Sequence, residues 1–224
     1  MGLPIQIAPS ILSADFRCIE KEVQAVQNAG ADRIHCDVMD GNFVPDLTFG
    51  PMVIEAVKKC VSIPLDVHLM ISEPHKHVKQ YCDSGADILV IHAEECKNIP
   101  RIIENIKKCG IKAGITVNPD ISLQLIFPYL DMIDQVLIMT VYAGSAGQKF
   151  IYQMLDRIKT VSDEIKNRNL KVDIEVDGGI NNQTAAQCVK NGANVLVAGS
   201  YIFNEKNYKV QIERLRNATV DPDL

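Results

Sequence analysis

Short runs of β-branched and other apolar residues recur at regular intervals along the chain, and longer amphipathic segments separate them. Eight runs can be counted: 5–12, 33–39, 64–70, 88–94, 112–118, 135–141, 171–177 and 194–200. The intervening segments, such as 18–30 and 100–110, carry apolar residues at helical spacing. Several end on a glycine suited to a helix C-cap, namely Gly30, Gly85, Gly110 and Gly192. Strands that alternate with helices predict parallel βαβ units, and eight such units predict an α/β fold of the (β/α)₈ TIM-barrel type.

An open, doubly wound sheet is the alternative fold. Its G-x-G-x-x-G motif is missing after the first run, and the even spacing of the runs favours a closed barrel. The length of 224 residues suits one large domain, and no Pro-, Gly- or Ser-rich stretch resembles a linker. We therefore expect a single barrel domain over residues 1–224.

Composition excludes several classes of partner. A net charge of -5 supplies no basic field for nucleic acid or an anionic membrane, and no apolar run approaches the length of a membrane-spanning helix. The N-terminus lacks the pattern of a signal peptide, and the seven cysteines are scattered without a C-x-x-C pair. We expect a cytoplasmic protein with reduced thiols. We also expect a homo-oligomer; the number of subunits is left open, because the outer helices of a barrel can bury their exposed apolar faces in many ways.

Polar residues that a core would not select cluster where the predicted strands end, which is where TIM barrels carry their active sites. They are Ser10, His35, Asp37, His68, His92, Asp177, Gly199 and Ser200. Because side chains on a strand alternate with period two, His35, Asp37 and Met39 share one face. Titratable groups gathered on one rim are costly to bury unless a metal or a substrate satisfies them.

His35, Asp37, His68 and Asp177 form a set of two imidazoles and two carboxylates. These donors suit one divalent ion, whether Zn²⁺, Fe²⁺, Mn²⁺ or Co²⁺, and a hydrogen-bonded polar plug is the alternative. The second and seventh strands lie on nearly opposite sides of an eight-strand ring, so Asp37 and Asp177 would face each other across a bound molecule. Opposed carboxylates beside a Lewis acid suit proton removal from one face of a carbon and return to the other. Metal-dependent hydrolysis would use the same ligands.

Three turns rich in small residues lie at the other half of the mouth, at 143–148, 177–180 and 198–200. Small residues let backbone N–H groups approach an anion, and the loops after strands seven and eight of a TIM barrel commonly hold phosphate. We expect a phosphate site served by backbone amides, since no arginine or lysine stands in these turns.

Six motifs resemble those of the ribulose-phosphate 3-epimerase family, in the same order. They are APSILSADF (8–16), HCDVMDGNFVP (35–45), LDVHLM (65–70), MTVYAGSAGQKF (139–150), EVDGGIN (175–181) and VLVAGSYIF (195–203). The resemblance implies a barrel of the ribulose-phosphate-binding type and conversion of D-ribulose 5-phosphate to D-xylulose 5-phosphate, a step of the pentose phosphate pathway. It also implies two-base proton transfer through a metal-stabilised enediolate.

The resemblance further assigns roles to residues of this chain. It implies that His35, Asp37, His68 and Asp177 hold the metal and that Asp37 and Asp177 are the acid/base pair. The implied substrate contacts are Ser10, His68, Gly144, Ser145, Ala146, Gly147, Gly178, Gly179, Gly199 and Ser200. The implied site wall consists of Met39, Met70 and Met139.

Departures from the family pattern at the barrel mouth leave the identity of the sugar phosphate undecided. The segment 142–148 lacks the proline and phenylalanine of the family, and Asn42 stands in place of a histidine. A six-carbon ketose phosphate such as allulose 6-phosphate is therefore the alternative substrate, and a non-catalytic phosphosugar-binding barrel is the alternative of another class. A decarboxylase on this scaffold would need a D-x-K-x-x-D run, which is absent from 37–42. A Schiff-base aldolase would need an inward lysine, whereas Lys112 and Lys171 open their strands at the wrong end.

Overall fold

A computed structural model describes residues 3–145 and 147–217, and within them eight parallel strands form one sheet. The strands are β1 Gln6–Pro9, β2 Ile34–Met39, β3 Leu65–Met70, β4 Ile88–His92, β5 Lys112–Val117, β6 Gln135–Met139, β7 Asp173–Asp177 and β8 Val195–Ala198. Their order is β1-β8-β7-β6-β5-β4-β3-β2, and a parallel bridge from Ser10 to His35 joins β1 to β2. The sheet is therefore a nearly closed barrel, and the predicted fold class is confirmed.

Helices alternate with the strands around the outside. They are α1 Ile19–Asn28, α2 Pro51–Cys60, α3 Val78–Asp83, α4 Ile99–Lys108, α5 Met154–Asn167, α6 Asn182–Lys190, α7 Ser200–Phe203 and α8 Tyr208–Asn217. Gly30, Gly85, Gly110 and Gly192 follow α1, α3, α4 and α6 with positive φ, which confirms them as C-cap glycines. No helix among residues 3–145 and 147–217 is long and apolar enough to cross a membrane.

The connection from β5 to β6 differs from the regular pattern. It forms two 3₁₀ turns, Leu123–Leu125 and Phe127–Tyr129, where a (β/α)₈ barrel would place a helix. Pro128 lies in the second turn, and because proline lacks an N–H it cannot extend an α-helix through this segment.

The period-two alternation of the strands separates two environments. On β2, Ile34, Cys36 and Val38 face the main apolar cluster between sheet and helices, and all six residues of the strand are buried. His35, Asp37 and Met39 consequently point into the barrel. This alternation places the polar residues of the sequence inside the ring, in reach of one another.

Candidate metal centre and active site

The four predicted metal ligands come together inside the barrel, on β2, β3 and the end of β7. One donor atom from each of His35, Asp37, His68 and Asp177 lies within 4.8 Å of the others. Asp37 Oδ1 is 3.2 Å from His35 Nε2 and 3.2 Å from His68 Nδ1, and His35 Nε2 is 4.0 Å from Asp177 Oδ2. Register explains part of this geometry, because Asp37 is paired with His68 across the β2–β3 ladder.

These spacings fit one divalent ion. Nitrogen and oxygen ligands lie about 2.0–2.2 Å from Zn²⁺, so neighbouring ligand atoms in its shell are separated by about 3–3.5 Å. The two 3.2 Å separations around Asp37 Oδ1 match that value. Two imidazole nitrogens and two carboxylate oxygens also form a donor set that Fe²⁺, Mn²⁺ and Co²⁺ accept.

The pKa values of the two carboxyl groups of the cluster are shifted in opposite directions. Burial, together with the charge of Asp37, raises the pKa of Asp177 to about 7. Burial also acts to raise the pKa of Asp37, but the charge and hydrogen bond of His35 and the hydrogen bond of His68 hold it well below its usual range. A divalent cation between them would favour the ionised form of both, which relieves their mutual repulsion.

Ser10 links this cluster to the adjoining cavity. Its hydroxyl donates to Asp37 Oδ2 at 2.5 Å, so one oxygen of Asp37 faces the imidazoles and the other faces Ser10. Ser10 also lines a cavity of about 400 Å³ at the barrel mouth. A molecule held in the cavity therefore lies next to the Asp37 carboxylate.

The cavity is lined by most of the residues predicted to bind substrate. They are Ser10, Ser145, Gly147, Gly178, Gly179, Gly199 and Ser200, and no lysine or arginine lines it among the described residues. Gly178 has φ +117°, and a Cβ there would lie 2.4 Å from Val141 Cγ2, so only glycine fits. Ala146, another predicted contact, lies outside the described residues.

The loop after β6 rests on the loop after β2. Gly144 lies there rather than on the cavity lining, since a Cβ at this residue would meet Val44 Cβ at 2.6 Å. The hydroxyl of Ser145 donates to Asp46 Oδ2 at 3.3 Å. Gln148 Nε2 donates to the carbonyl oxygens of Tyr142 at 2.6 Å and Ser145 at 2.9 Å. These bonds hold the loop in a compact turn beside the cavity.

The three predicted wall methionines are all buried. Met39 and Met70 pack together with Val44, whereas Met139 belongs to a neighbouring interior cluster with Leu137. Ala143 contacts both clusters, so the methionines form an apolar layer under the loop after β6.

A second polar layer lies below the metal ligands and was missed by sequence reasoning. Gln135 Nε2 donates to Asp66 Oδ2 at 3.0 Å and to Glu175 Oε2 at 2.6 Å, and Glu175 Oε1 is 3.5 Å from His35 Nδ1. Burial and the charge of Asp66 raise the pKa of Glu175 to about 8. The period-two alternation of the strands could have indicated this layer. Asp66 precedes His68 by two residues and Glu175 precedes Asp177 by two, so each lies on the same strand face as a predicted ligand, nearer the start of the strand.

His92 is the remaining buried histidine of this region. Its ring is wholly buried and lies beside that of His68, which places it among the polar residues that gather at the barrel mouth. Lys112 and Lys171 are exposed and precede or open their strands, as predicted. Neither can serve as an interior Schiff-base lysine.

Comparison with known proteins identifies the family of the chain and the relatives of its barrel. A family model described as the ribulose-phosphate 3 epimerase family matches residues 6–203. A ribulose-phosphate 3-epimerase of Bacillus subtilis is 47% identical over 217 residues, which cover 96% of this chain and 99% of the relative. One from Synechocystis is 43% identical over 220 residues, covering 97% and 96%. The crystal structure of KGPDC from Streptococcus mutans shares the barrel, with a TM-score of 0.73, 15% identity, and coverage of 97% and 98%.

Proposed function

The chain belongs to the ribulose-phosphate 3-epimerase family and is an isomerase, and we propose that it interconverts D-ribulose 5-phosphate and D-xylulose 5-phosphate at the barrel mouth. The observation that carries this proposal is the convergence of His35, Asp37, His68 and Asp177 beside a glycine-lined cavity. The names of the relatives favour the five-carbon sugar over a six-carbon one.

The four ligands would hold one divalent cation. Once bound, such a cation supplies the Lewis acidity that polarises the C2 carbonyl and makes the neighbouring C3 proton easier to remove. His35 and His68 would bind it through unprotonated nitrogens, which both lie 3.2 Å from Asp37 Oδ1, so that the shared cation would fix this carboxylate.

Asp37 and Asp177 would carry the proton transfers. We infer that Asp37 takes the C3 proton on one face of the sugar and that Asp177 delivers a proton to the other face. The roles reverse for the opposite epimer. Ser10 donates to Asp37 Oδ2 and so orients it. Both aspartates belong to strands of the barrel, Asp37 within β2 and Asp177 at the end of β7, which suits a reaction that needs two acids at fixed positions.

The substrate phosphate would occupy the glycine-lined part of the cavity. The small residues of its lining leave backbone N–H groups accessible. The lack of a lysine or arginine among the described lining residues means that amide dipoles, rather than a full positive charge, would bind the phosphate. The exposed tip at Ser145 belongs to the segment that departs from the family pattern, so we expect it to influence sugar preference.

The decisive experiment measures deuterium incorporation at C3 from D₂O with ribulose 5-phosphate and allulose 6-phosphate, using the metal-supplemented protein. We expect rapid exchange into ribulose 5-phosphate. Exchange into neither sugar would favour a non-catalytic binder, faster exchange into allulose 6-phosphate would reassign the substrate, and CO₂ release would exclude an epimerase.

Variants test the two aspartates. Asp37→Asn and Asp177→Asn should each lower turnover by about 10²–10⁴-fold, since no other group can replace the proton transfer. Asp163→Asn is the matched control, because Asp163 is on the surface of α5 and pairs only with Lys159 among described residues. Metal content is measured in parallel. A variant at either site that binds metal and keeps near-wild-type turnover would remove that aspartate from the mechanism.

A further inference from the structure

His92, on β4, has no part in the proposed reaction, yet it lies in contact with a proposed metal ligand. Its Nε2 is 2.9 Å from His68 Nε2, and its Nδ1 is 3.1 Å from Glu94 Oε1. Both imidazole rings are completely buried. Phe43 covers the His92 ring with a centroid separation of 4.8 Å, so hydrogen bonding to protein groups decides where its protons lie.

The two imidazoles meet through their edges. Their planes differ by 19° and their centroids are 5.1 Å apart, a distance much longer than the 2.9 Å between the Nε2 atoms. Each Nε2 therefore points at the other ring, which is the arrangement of an in-plane N–H···N hydrogen bond. One of the two nitrogens must donate and the other must accept.

The Glu94 carboxylate at one end of this chain, and a cation bound beside Asp37 at the other, would together set the direction of both bonds. Glu94 can only accept when ionised, so Nδ1 of His92 carries a proton and Nε2 of neutral His92 is left as an acceptor. Nε2 of His68 then donates. When a cation occupies the cluster, the lone pair on Nδ1 of His68 is free to bind it, whereas without a cation a proton on this nitrogen would donate to Asp37 Oδ1, 3.2 Å away. If the order were reversed, Nδ1 of His68 would carry the proton and could not bind a cation.

Glu94 is itself held in place. Its Oε1 accepts from the backbone N–H of Asn118 at 2.9 Å and from Asn118 Nδ2 at 3.1 Å. Asn118 Oδ1 in turn accepts the backbone N–H of Ala143 at 3.0 Å, in the loop after β6. The carboxylate that orients His92 is thereby anchored to two further parts of the barrel mouth.

We propose that His92 and Glu94 are positioning residues that fix His68 in the tautomer that presents Nδ1 to the divalent ion. The inference rests on the metal site of the proposed function and adds residues that bind neither metal nor substrate. Loss of an outer partner of a metal-bound histidine typically weakens metal binding by about 10–100-fold.

The experiment uses the full-length chain labelled with ¹⁵N-histidine and loaded with Zn²⁺. Histidine ¹⁵N shifts report the tautomer, and with five histidines in the chain each signal can be assigned by substitution. In the wild type we expect His68 to be protonated at Nε2 and metal-bound at Nδ1, with His92 protonated at Nδ1. The opposite protonation of either ring in the wild type would overturn the inference.

Zn²⁺ affinity, measured by competition with a chelator, provides the second readout. His92→Phe should weaken binding by about 10–100-fold, whereas His92→Gln, whose amide oxygen can accept from His68 Nε2, should recover most of the affinity. The control His75→Gln, at an exposed histidine, should leave it unchanged. Unfolding of the metal-free variants shows whether His92→Phe acts on stability alone.

The outcomes separate this inference from the proposed function. A wild-type protein that does not bind Zn²⁺, Fe²⁺, Mn²⁺ or Co²⁺ would overturn the metal site and, with it, the role of His92. Tight Zn²⁺ binding by the wild type and equally tight binding by His92→Phe would overturn only the positioning role.

Discussion

Arg33 provides the sharpest test of how the barrel interior is stabilised. It lies just before β2, is 2% exposed, and belongs to the polar layer below the metal ligands. Its Nη1 is 3.2 Å from Asp66 Oδ2 and donates to Gln135 Oε1 at 2.6 Å. Its Nη2 donates to Gln6 Oε1 at 2.5 Å and lies 3.2 Å from Asp173 Oδ2. Arg33→Met keeps most of the apolar volume and removes all four contacts.

The cost follows from the charge left behind. Burial acts to raise the pKa of Asp66, but Arg33 and His35 hold it below its usual range, so in the wild type the carboxylate is ionised and paired. Removing one partner of a buried ion pair costs about 3–5 kcal/mol. With an unfolding entropy of about 2.1 cal/mol/K per residue, a chain of 224 residues should lose about 6–11 °C in Tm.

Thermal and urea unfolding of Arg33→Met, with Arg17→Met as the matched control, measures this loss. Arg17 pairs with Asp15 but its side chain is 90% exposed, and exposed pairs contribute about 0–1 kcal/mol. The pH dependence has a definite sign. The pKa of Asp66 is lower in the folded protein than in the unfolded chain. Its contribution to the free energy of unfolding is therefore present above the pKa of the unfolded chain and is lost as the pH falls through the pKa of the folded protein.

The difference in the free energy of unfolding between wild type and Arg33→Met should therefore be largest near neutral pH and should decrease in acid. The reasoning is refuted if Arg33→Met is no more destabilising than Arg17→Met, or if this difference increases on acidification.

Three further changes test other parts of the structure. Zn²⁺ at about 100 times its Kd should add about 2.7 kcal/mol of stability, which scanning calorimetry would record as a rise in Tm of about 5–6 °C; no rise would contradict the metal site. Gly192→Ala should lower the urea midpoint more than Gly30→Ala. Both glycines have positive φ, but only at Gly192 would a Cβ meet Ser162 Oγ, at 2.2 Å. Equal losses in the urea midpoint would contradict the packing argument. Asp40→Asn should destabilise the protein near neutral pH and less in acid. Burial acts to raise the pKa of Asp40, but hydrogen bonds from three backbone N–H groups lower it, so the ionised carboxylate stabilises the fold. An equal difference in urea midpoint between wild type and variant at both pH values would refute this.

The strands could be predicted because their signal is local. Each run in the sequence corresponds to a strand, and the errors lie at the ends. The first run extends to residue 12, but β1 ends at Pro9 because Ser10 caps a 3₁₀ turn, accepting the backbone N–H of Leu12 through its hydroxyl. The last run includes Gly199 and Ser200, where α7 begins. Apolar residues continue beyond the ends of both strands, so apolar content does not mark where β1 and β8 end. The ends are set by Ser10 and Gly199, which begin the following turn and helix.

The metal ligands could be predicted as a set for a related reason. A strand that alternates its faces puts His35 and Asp37 on one side, and a barrel brings all inner sides together at the mouth. The supporting layer could not be predicted in the same way. Arg33 and Gln135 are 102 residues apart in the chain, and which polar residues meet depends on the stagger between strands at ring closure. Alternation marks Glu175 and Asp66 as inward-facing but does not identify their partners.

The interior as a whole is unbalanced in charge. Asp37, Asp66, Glu175 and Asp177 contribute four carboxyl groups to adjacent layers, while Arg33 is the one arginine that contacts them among the described residues. TIM-barrel interiors are usually filled by branched aliphatic side chains, so this acidity is not a packing solution. Burial raises the pKa of Glu175 to about 8 and that of Asp177 to about 7, while the charge of His35 opposes both shifts. Both lie next to His35, on its two sides, and the proposed divalent ion at the Nε2 side would add positive charge beside Asp177. The ligand geometry and the acidity of the interior therefore both favour a cation at the proposed place.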